Sequence, residues 1–307
     1  MTSAQSYRPD PSSAAIGRHQ LTPSGFGTEL TNLDLATIDA DGRSEALKVF
    51  HDSGGLLIIR NQHDFAPQSL RNFVAQFGKL EKNEKYDPAF LLPDYPEILR
   101  VGNMKEKGKY VSMFIDADPP PLLWHMDDSY RHPQPAGSCM YCVHTPPQGG
   151  ETGFAGMSAA YQALSEKVKV QIETTTTIHS YDYLNERLRR TNPHRPPLTV
   201  ELKQKMPPVR RPLVVKHPVT GRKALYIPTC QIESVQGMSE DEARPLLNEL
   251  QAHATKPDFT YMHHWEPGDL VIWDNRGTMH APSPFEDEKY QRLMYRLTFG
   301  GQQIVSF

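Results

Sequence analysis

Residues Gly268–Phe285 read GDLVIWDNRGTMHAPSPF. Gly268-Asp269 is a tight-turn pair, and Leu270 to Asp274 is a short apolar run rich in β-branched and aromatic residues. A run this short, closed at both ends by turn residues, predicts a buried strand and not a helix. Asp274-Asn275-Arg276-Gly277 then turns the chain, and Met279-His280 begins a returning run. Two neighbouring strands of this kind fit an antiparallel barrel or jelly roll.

The same signal recurs along the chain. GLLIIR (Gly55 to Arg60), EILRV (Glu97 to Val101), SCMYCV, PLVVKH, KALYIP, TYMHHW and LMYRLTF all read as strands. Helix signals are fewer. They fall at Ser44 to Ser53, Pro67 to Phe77, Ser158 to Thr174 and Ser239 to His253, the last opening on a capping-box pair, Ser239 and Glu242. Scattered short strands with helices early and in insertions do not make a βαβ parallel sheet. They predict a mainly β fold with flanking helices.

Composition bounds the function. The 307 residues carry a net charge of -3, with 38% hydrophobic and 22% charged residues, as in a soluble globular protein. That balance gives no reason to expect nucleic acid as a partner. The basic clusters Arg187 to Arg190 and Arg210 to Arg211 are short and read as solvated faces. No stretch reaches the roughly 18 apolar residues of a membrane span, so no membrane partner is expected. The first 18 residues, rich in Ser, Pro and Ala, read as a flexible N-terminal arm without a secretory h-region, and residues 19–307 as a single domain. Three cysteines argue for a reducing, cytoplasmic setting. Cys139 and Cys142 form a C-x-x-C, but no second pair exists to close a zinc site, so they read as packed strand residues.

Thirteen histidines make any single one uninformative. In LLWHMDDSYR, His125-x-Asp127 would, on a strand, place an imidazole and a carboxylate on one face. That pair supplies two ligands of the two-His-one-carboxylate set used by non-haem iron. The third ligand must come from a strand brought close by folding. His280 is the candidate, with His263 and His264 competing from TYMHHW. A carboxylate-bearing co-substrate needs a cation, and Arg292 and Arg296 in QRLMYRLTFGG each offer a guanidinium able to grip a carboxylate with two parallel hydrogen bonds.

Taken in order, W-H-x-D, GGETGFAGM, DLVIWDNRGTMH and QRLMYRLTFGG resemble the taurine/2,4-dichlorophenoxyacetate dioxygenase family. So do GFGTELTNLDL, GLLIIRNQ and AQFGKL near the N-terminus, and the likeness runs from about Gly25 to Gly301. The resemblance implies a double-stranded β-helix (jelly roll, cupin-like) and an oxygenase dependent on Fe(II) and 2-oxoglutarate, with O2 as oxidant. It assigns the metal to His125, Asp127 and His280, and the distal carboxylate of 2-oxoglutarate to Thr152 and Arg292. It sets Arg296 where an anionic substrate group is met. HPVTGR (His217 to Arg222) also recurs in the family and reads first as a structural turn.

The expected reaction oxidises a C–H bond of a small, anionic organic substrate, carboxylate or sulfonate, and releases succinate and CO2. Desaturation or isonitrile formation on an amino-acid-derived substrate is the alternative outcome. A non-catalytic metal-binding barrel or a structural zinc site are the rivals from other classes. With Asp127 present, halogenation is disfavoured. The stretch Glu81 to Leu123 departs from the family's taurine-specific segments. Within it Tyr110, Met113 and Phe114 are candidates for an apolar substrate pocket. Oligomeric state is not legible, although barrels of this family often pair as homo-oligomers.

Overall fold

The computed structural model describes residues 15–304, apart from 64, 85, 113–122 and 192–194. Two sheets dominate. The larger has eight strands in the spatial order Gly17–Gln20, Thr28–Thr31, Leu56–Ile59, Leu270–Asp274, Gly137–His144, Leu293–Phe299, Tyr95–Gly102 and Leu91–Leu92. All its pairings are antiparallel except that of Thr28–Thr31 with Leu56–Ile59. The smaller sheet places Thr152–Gly156 between Thr260–His263 and Thr278–Pro282. Each run predicted as a strand contains one, and the predominance of short antiparallel strands matches the expected mainly β class.

Strand Leu270–Asp274 shows why Leu270 to Trp273 are all apolar. Leu270 and Ile272 enter a core beneath the large sheet, shared with Phe50, Leu70 and Phe73. Val271 and Trp273 point the other way, to a core between the sheets with Leu56, Leu99 and Phe154. Alternate residues of a strand face opposite sides. Here both sides are covered, so all five residues are buried. Helices Ala40–Asp52 and Pro67–Val74 supply the outer cover. A third core lies around the smaller sheet and includes Met157, Leu247 and Leu250.

The turn DNRG is not a hairpin. Leu270–Asp274 belongs to the large sheet and Thr278–Pro282 to the small one, so residues 274–277 form a corner that carries the chain across the barrel. The corner is tied on both sides: Asp274 N–H donates to Gly55 O (2.8 Å) and Asn275 N–H to Ala136 O (2.9 Å).

Other departures are local. The helix expected over Ser158 to Thr174 is two, Met157–Gln162 and Glu166–Ile172, the second capped by Ser165. Helix Glu240–Ala254 runs through Pro245. Helices Tyr181–Thr191 and Val200–Lys205 had no recognised signal. Gly17 and Arg18, assigned from sequence to the arm, pair with Thr31 and Leu30 in the first strand of the large sheet. Residues 1–14 of that arm lie outside the described residues. Cys139 and Cys142 are buried on strand Gly137–His144, as packing residues should be. Among the described residues, no helix is long and apolar enough to cross a membrane.

Candidate active site

His280 sits on strand Thr278–Pro282, opposite Phe154 on one side and His125 on the other. His125 and His280 exchange both backbone N–H···O bonds at 2.9 Å. Residues paired in this way project their side chains to the same face, and the two imidazole centroids lie 4.1 Å apart. Sequence had put His125-x-Asp127 on one strand. The structure instead makes His125 an isolated bridge residue, and Asp127 opens the turn that follows. The turn, not strand alternation, swings the carboxylate back: Asp127 Oδ1 lies 3.9 Å from His125 Nε2 and 3.6 Å from His280 Nε2.

One ligand atom from each of the three residues falls within 4.8 Å of the others. The donor set is chemically apt for a divalent metal. Burial, with His125 close by, lowers the pKa of His280 to about 3, so the ring is neutral and one of its nitrogens has a lone pair to offer. Asp127 is the reverse case. Burial opposes its charge, yet Arg296, the two imidazoles and the Ser138 hydrogen bond hold it below the usual carboxylate range. His125 is oriented by Nδ1, 2.9 Å from Leu123 O. The Phe154 and Trp273 rings pack around His280, centroids at 6.2 and 5.0 Å. The competing histidines are elsewhere: His263 is buried 3.1 Å from Asp269 Oδ2, and His264 is exposed beside Glu151.

The turn after His125 is built by residues that sequence reasoning missed. Gln231 Oε1 accepts from Met126 N–H and the Ser129 hydroxyl. Arg211 donates to the carbonyls of Ser129 and Arg131. Gln134 Nε2 donates to Asp127 O at 3.2 Å. Asp128 takes a left-handed φ of 50°. Its carboxylate receives the Tyr130 hydroxyl at 3.0 Å and Arg131 at 2.6 Å. Arg211, read from the sequence as part of a solvated basic face, is instead buried because it serves these carbonyls, and nothing local marks Gln231, since both act across the fold.

Thr152 lies two residues before Phe154 on strand Thr152–Gly156 and therefore shares its face. Two residues of strand span about 7 Å, close to the length of a five-carbon dicarboxylate. The Thr152 hydroxyl accepts from Trp265 Nε1 at 2.9 Å, which leaves its own proton to donate elsewhere. Arg292 is half-buried; its Nε is enclosed and meets no hydrogen-bond partner among the described residues. Burial lowers its pKa to about 10, and no carboxylate among the described residues forms an ion pair with it. A Cβ on Gly150, in the GGET turn, would lie 3.6 Å from Arg292 Cδ, so that turn abuts the guanidinium stem.

Arg296, four residues further along and within strand Leu293–Phe299, has a different partner. Its Nη2 is 2.8 Å from Asp127 Oδ2. It also lines a cleft of about 410 Å³ with Tyr86, Leu99, Tyr130, Lys205 and Met206. Tyr110 is not among the lining residues. It sits on the short hairpin Lys105–Glu106 with Lys109–Tyr110, 39% exposed, with Lys105 Nζ 4.4 Å from its ring centre. Met113 and Phe114 lie outside the described residues. HPVTGR is a structural turn: His217 Nδ1 accepts from Val219 and Thr220 N–H, and Nε2 donates to Asp274 Oδ2 at 2.9 Å. It thereby braces the corner before His280.

The fold is thus a mainly antiparallel jelly roll with two histidines and a carboxylate brought together where they could hold a metal ion. The chain belongs to the family described as "Taurine catabolism dioxygenase TauD, TfdA family", whose pattern it matches over residues 18–298. It is 30% identical to an (S)-phenoxypropionate/alpha-ketoglutarate-dioxygenase of Sphingobium herbicidovorans, over 90% of this chain and 92% of that one. It is 32% identical to an alpha-ketoglutarate-dependent 2,4-dichlorophenoxyacetate dioxygenase of Cupriavidus pinatubonensis, over 91% and 96%. Among solved structures it resembles AAD-2 in complex with Mn(II) and N-oxalylglycine, with TM-score 0.76 and 31% identity over 95% of this chain and all of that one. The protein is a 2-oxoglutarate-dependent dioxygenase with the double-stranded β-helix fold.

Proposed function

We propose that this enzyme uses a single Fe(II), held by His125, Asp127 and His280, to oxidise a C–H bond of a small carboxylic acid with an aromatic or apolar body. 2-Oxoglutarate is converted to succinate and CO2 in the same cycle. The observation that carries the reading is the convergence of two imidazoles and one carboxylate within 4.8 Å. Three protein ligands leave coordination positions open, the arrangement of non-haem iron oxygenases. Bound there, Fe(II) with 2-oxoglutarate and O2 supplies the oxidising chemistry; the protein supplies binding, orientation and electrostatics.

The residues divide that work. The Arg292 guanidinium, its Nε enclosed and without a hydrogen-bond partner among the described residues, receives the distal carboxylate of 2-oxoglutarate, and the Thr152 hydroxyl donates to it. Trp265 fixes that hydroxyl by occupying its acceptor side. The cleft beside Arg296 receives the oxidised substrate. Its lining combines Arg296 and Lys205, which suit an anionic head, with Tyr86, Leu99, Tyr130 and Met206, which suit an apolar body. The relatives named for phenoxypropionate and 2,4-dichlorophenoxyacetate point to the same substrate shape.

The test is anaerobic addition of Fe(II) and 2-oxoglutarate to the protein. A visible charge-transfer band is expected, and intact protein that gives none overturns the reading. A panel of aryloxy acids, alkyl sulfonates and amino-acid derivatives, scored by stimulated succinate release, then tests the substrate class. Stimulation by sulfonates alone would overturn the carboxylic-acid assignment.

A further inference from the structure

The two oxygens of Asp127 have different surroundings. Oδ1 faces the two Nε2 atoms at 3.9 and 3.6 Å. Oδ2 instead lies 2.8 Å from Arg296 Nη2 and 2.7 Å from Ser138 Oγ. Ser138 is fully enclosed on strand Gly137–His144. Its Oγ lies 3.2 Å from Asn275 Nδ2, in the DNRG corner, and Asn275 is likewise fully enclosed.

Hydrogen-bond arithmetic sets the direction of this chain. An ionised carboxylate only accepts, so the single Ser138 hydroxyl proton goes to Asp127 Oδ2. Ser138 Oγ then has only acceptor capacity left, and the Asn275 amide must present its NH2 and not its carbonyl. The Asn275 backbone N–H donates to Ala136 O at 2.9 Å, two residues before Ser138, which fixes the corner against the same strand. The result is a one-way relay, Asn275 to Ser138 to Asp127, beside the Arg296 ion pair.

We propose that Asn275 and Ser138 are positioning residues for the metal centre. With Arg296 they hold Asp127 Oδ2 away from the metal and present Oδ1 alone. The inference rests on the reading of Asp127 as a metal ligand. A carboxylate free to turn can chelate through both oxygens and take a position that the co-substrate needs. Held on one side by Arg296 and Ser138, it cannot do so without breaking two charge-assisted hydrogen bonds. The corner DNRG thus has two tasks divided between adjacent residues: Asp274 braces the turn through His217 and Arg276, and Asn275 orients the hydroxyl that orients the ligand.

The experiment measures Co(II) binding by titration calorimetry and by d–d absorption, without turnover, for wild type, Ser138→Ala, Asn275→Ala and the double variant. Loss of an outer-shell partner costs about 10–100-fold in metal affinity, and that loss is expected for Ser138→Ala. Asn275→Ala should lose less, and the double variant no more than Ser138→Ala alone, since without the hydroxyl the amide has nothing to orient. The d–d bands of Ser138→Ala should weaken as the freed carboxylate raises the coordination number. Wild-type affinity and spectrum in Ser138→Ala, or fully additive losses in the double variant, would overturn the relay. If Ser138→Ala does not fold, an unchanged Co(II) affinity in Asn275→Ala overturns it instead. Failure of wild type to bind Co(II) at all would instead sink the metal-site reading beneath it, a result distinct from either.

Discussion

Arg296 Nη2 stands 2.8 Å from Asp127 Oδ2, and the same side chain lines the cleft proposed for substrate. One guanidinium therefore faces both the carboxylate proposed to hold the metal and the cleft proposed for substrate. Burial works against its charge, but the Asp127 carboxylate outweighs burial and raises its pKa, so Arg296 stays cationic at any working pH. For Arg296→Gln the expected result is a loss of roughly 3–5 kcal/mol in stability, the usual cost of removing one partner from a buried ion pair, together with a raised KM for the organic substrate. Denaturant unfolding and steady-state kinetics check the two halves separately. A stable variant with only a KM defect would show that the ion pair contributes little.

Arg292 and Thr152 are expected to act on 2-oxoglutarate and not on the organic substrate. Arg292→Ala removes a charged hydrogen-bond donor worth about 1.5–3 kcal/mol, so the 2-oxoglutarate KM should rise on the order of 10- to 100-fold. Thr152→Val should raise it several-fold, the scale of one neutral hydrogen bond. Trp265→Phe, which frees the Thr152 hydroxyl, should act in the same direction and more weakly. An unchanged 2-oxoglutarate requirement in Arg292→Ala would move the carboxylate site elsewhere.

Asp127→Ala should abolish the charge-transfer band and substrate-dependent succinate formation. Succinate formation that survives the change would show that the metal is held by another set of residues.

Acid stability offers an independent test of the turn that carries Asp127. His179 is fully enclosed, with Nδ1 2.9 Å from Ser129 Oγ and Nε2 2.9 Å from Thr177 Oγ1. Burial, and then Arg211, lowers its pKa from 6.5 to about 3. Between those values the unfolded chain binds a proton that the folded chain does not, so stability falls as pH drops through that window. The loss is roughly 1.4 kcal/mol per pH unit, and the stability it erodes is present in full above pH 6.5. His179→Gln should flatten this part of the curve. A thermal midpoint falling equally steeply between pH 6.5 and 4.5 in both proteins would assign the acid sensitivity to other groups.

Much of the architecture could be read locally. A four-residue apolar run between turn residues, as at Leu270 to Trp273, declares a strand because both of its faces must be covered. Thr152–Gly156 went unrecognised because its two glycines and an alanine carry little β signal. It is a strand because Thr260–His263 and Thr278–Pro282 pair with it on both sides. Helix Tyr181–Thr191, mostly polar and bounded by no clear signal, was hidden for a similar reason. The residue types and order that identify the family, His125, Asp127, Thr152, His280 and Arg292, were likewise visible as motifs.

The sequence by itself determined the mainly β class, the family and the identities of the residues proposed for metal and co-substrate, because those depend on local periodicity and on motifs short enough to read. Only the tertiary structure decided how they are oriented. It replaced the expected H-x-D strand with a bridge and a turn, made DNRG a corner between sheets and not a hairpin, set Tyr110 outside the cleft, and joined Arg296 to Asp127. It also revealed Ser138 and Asn275. Ser138 lies 11 residues from Asp127, and Asn275 lies 137 from Ser138. Hydrogen bonds at such separations are fixed by how strands pair and sheets pack, and no local pattern in the chain encodes them.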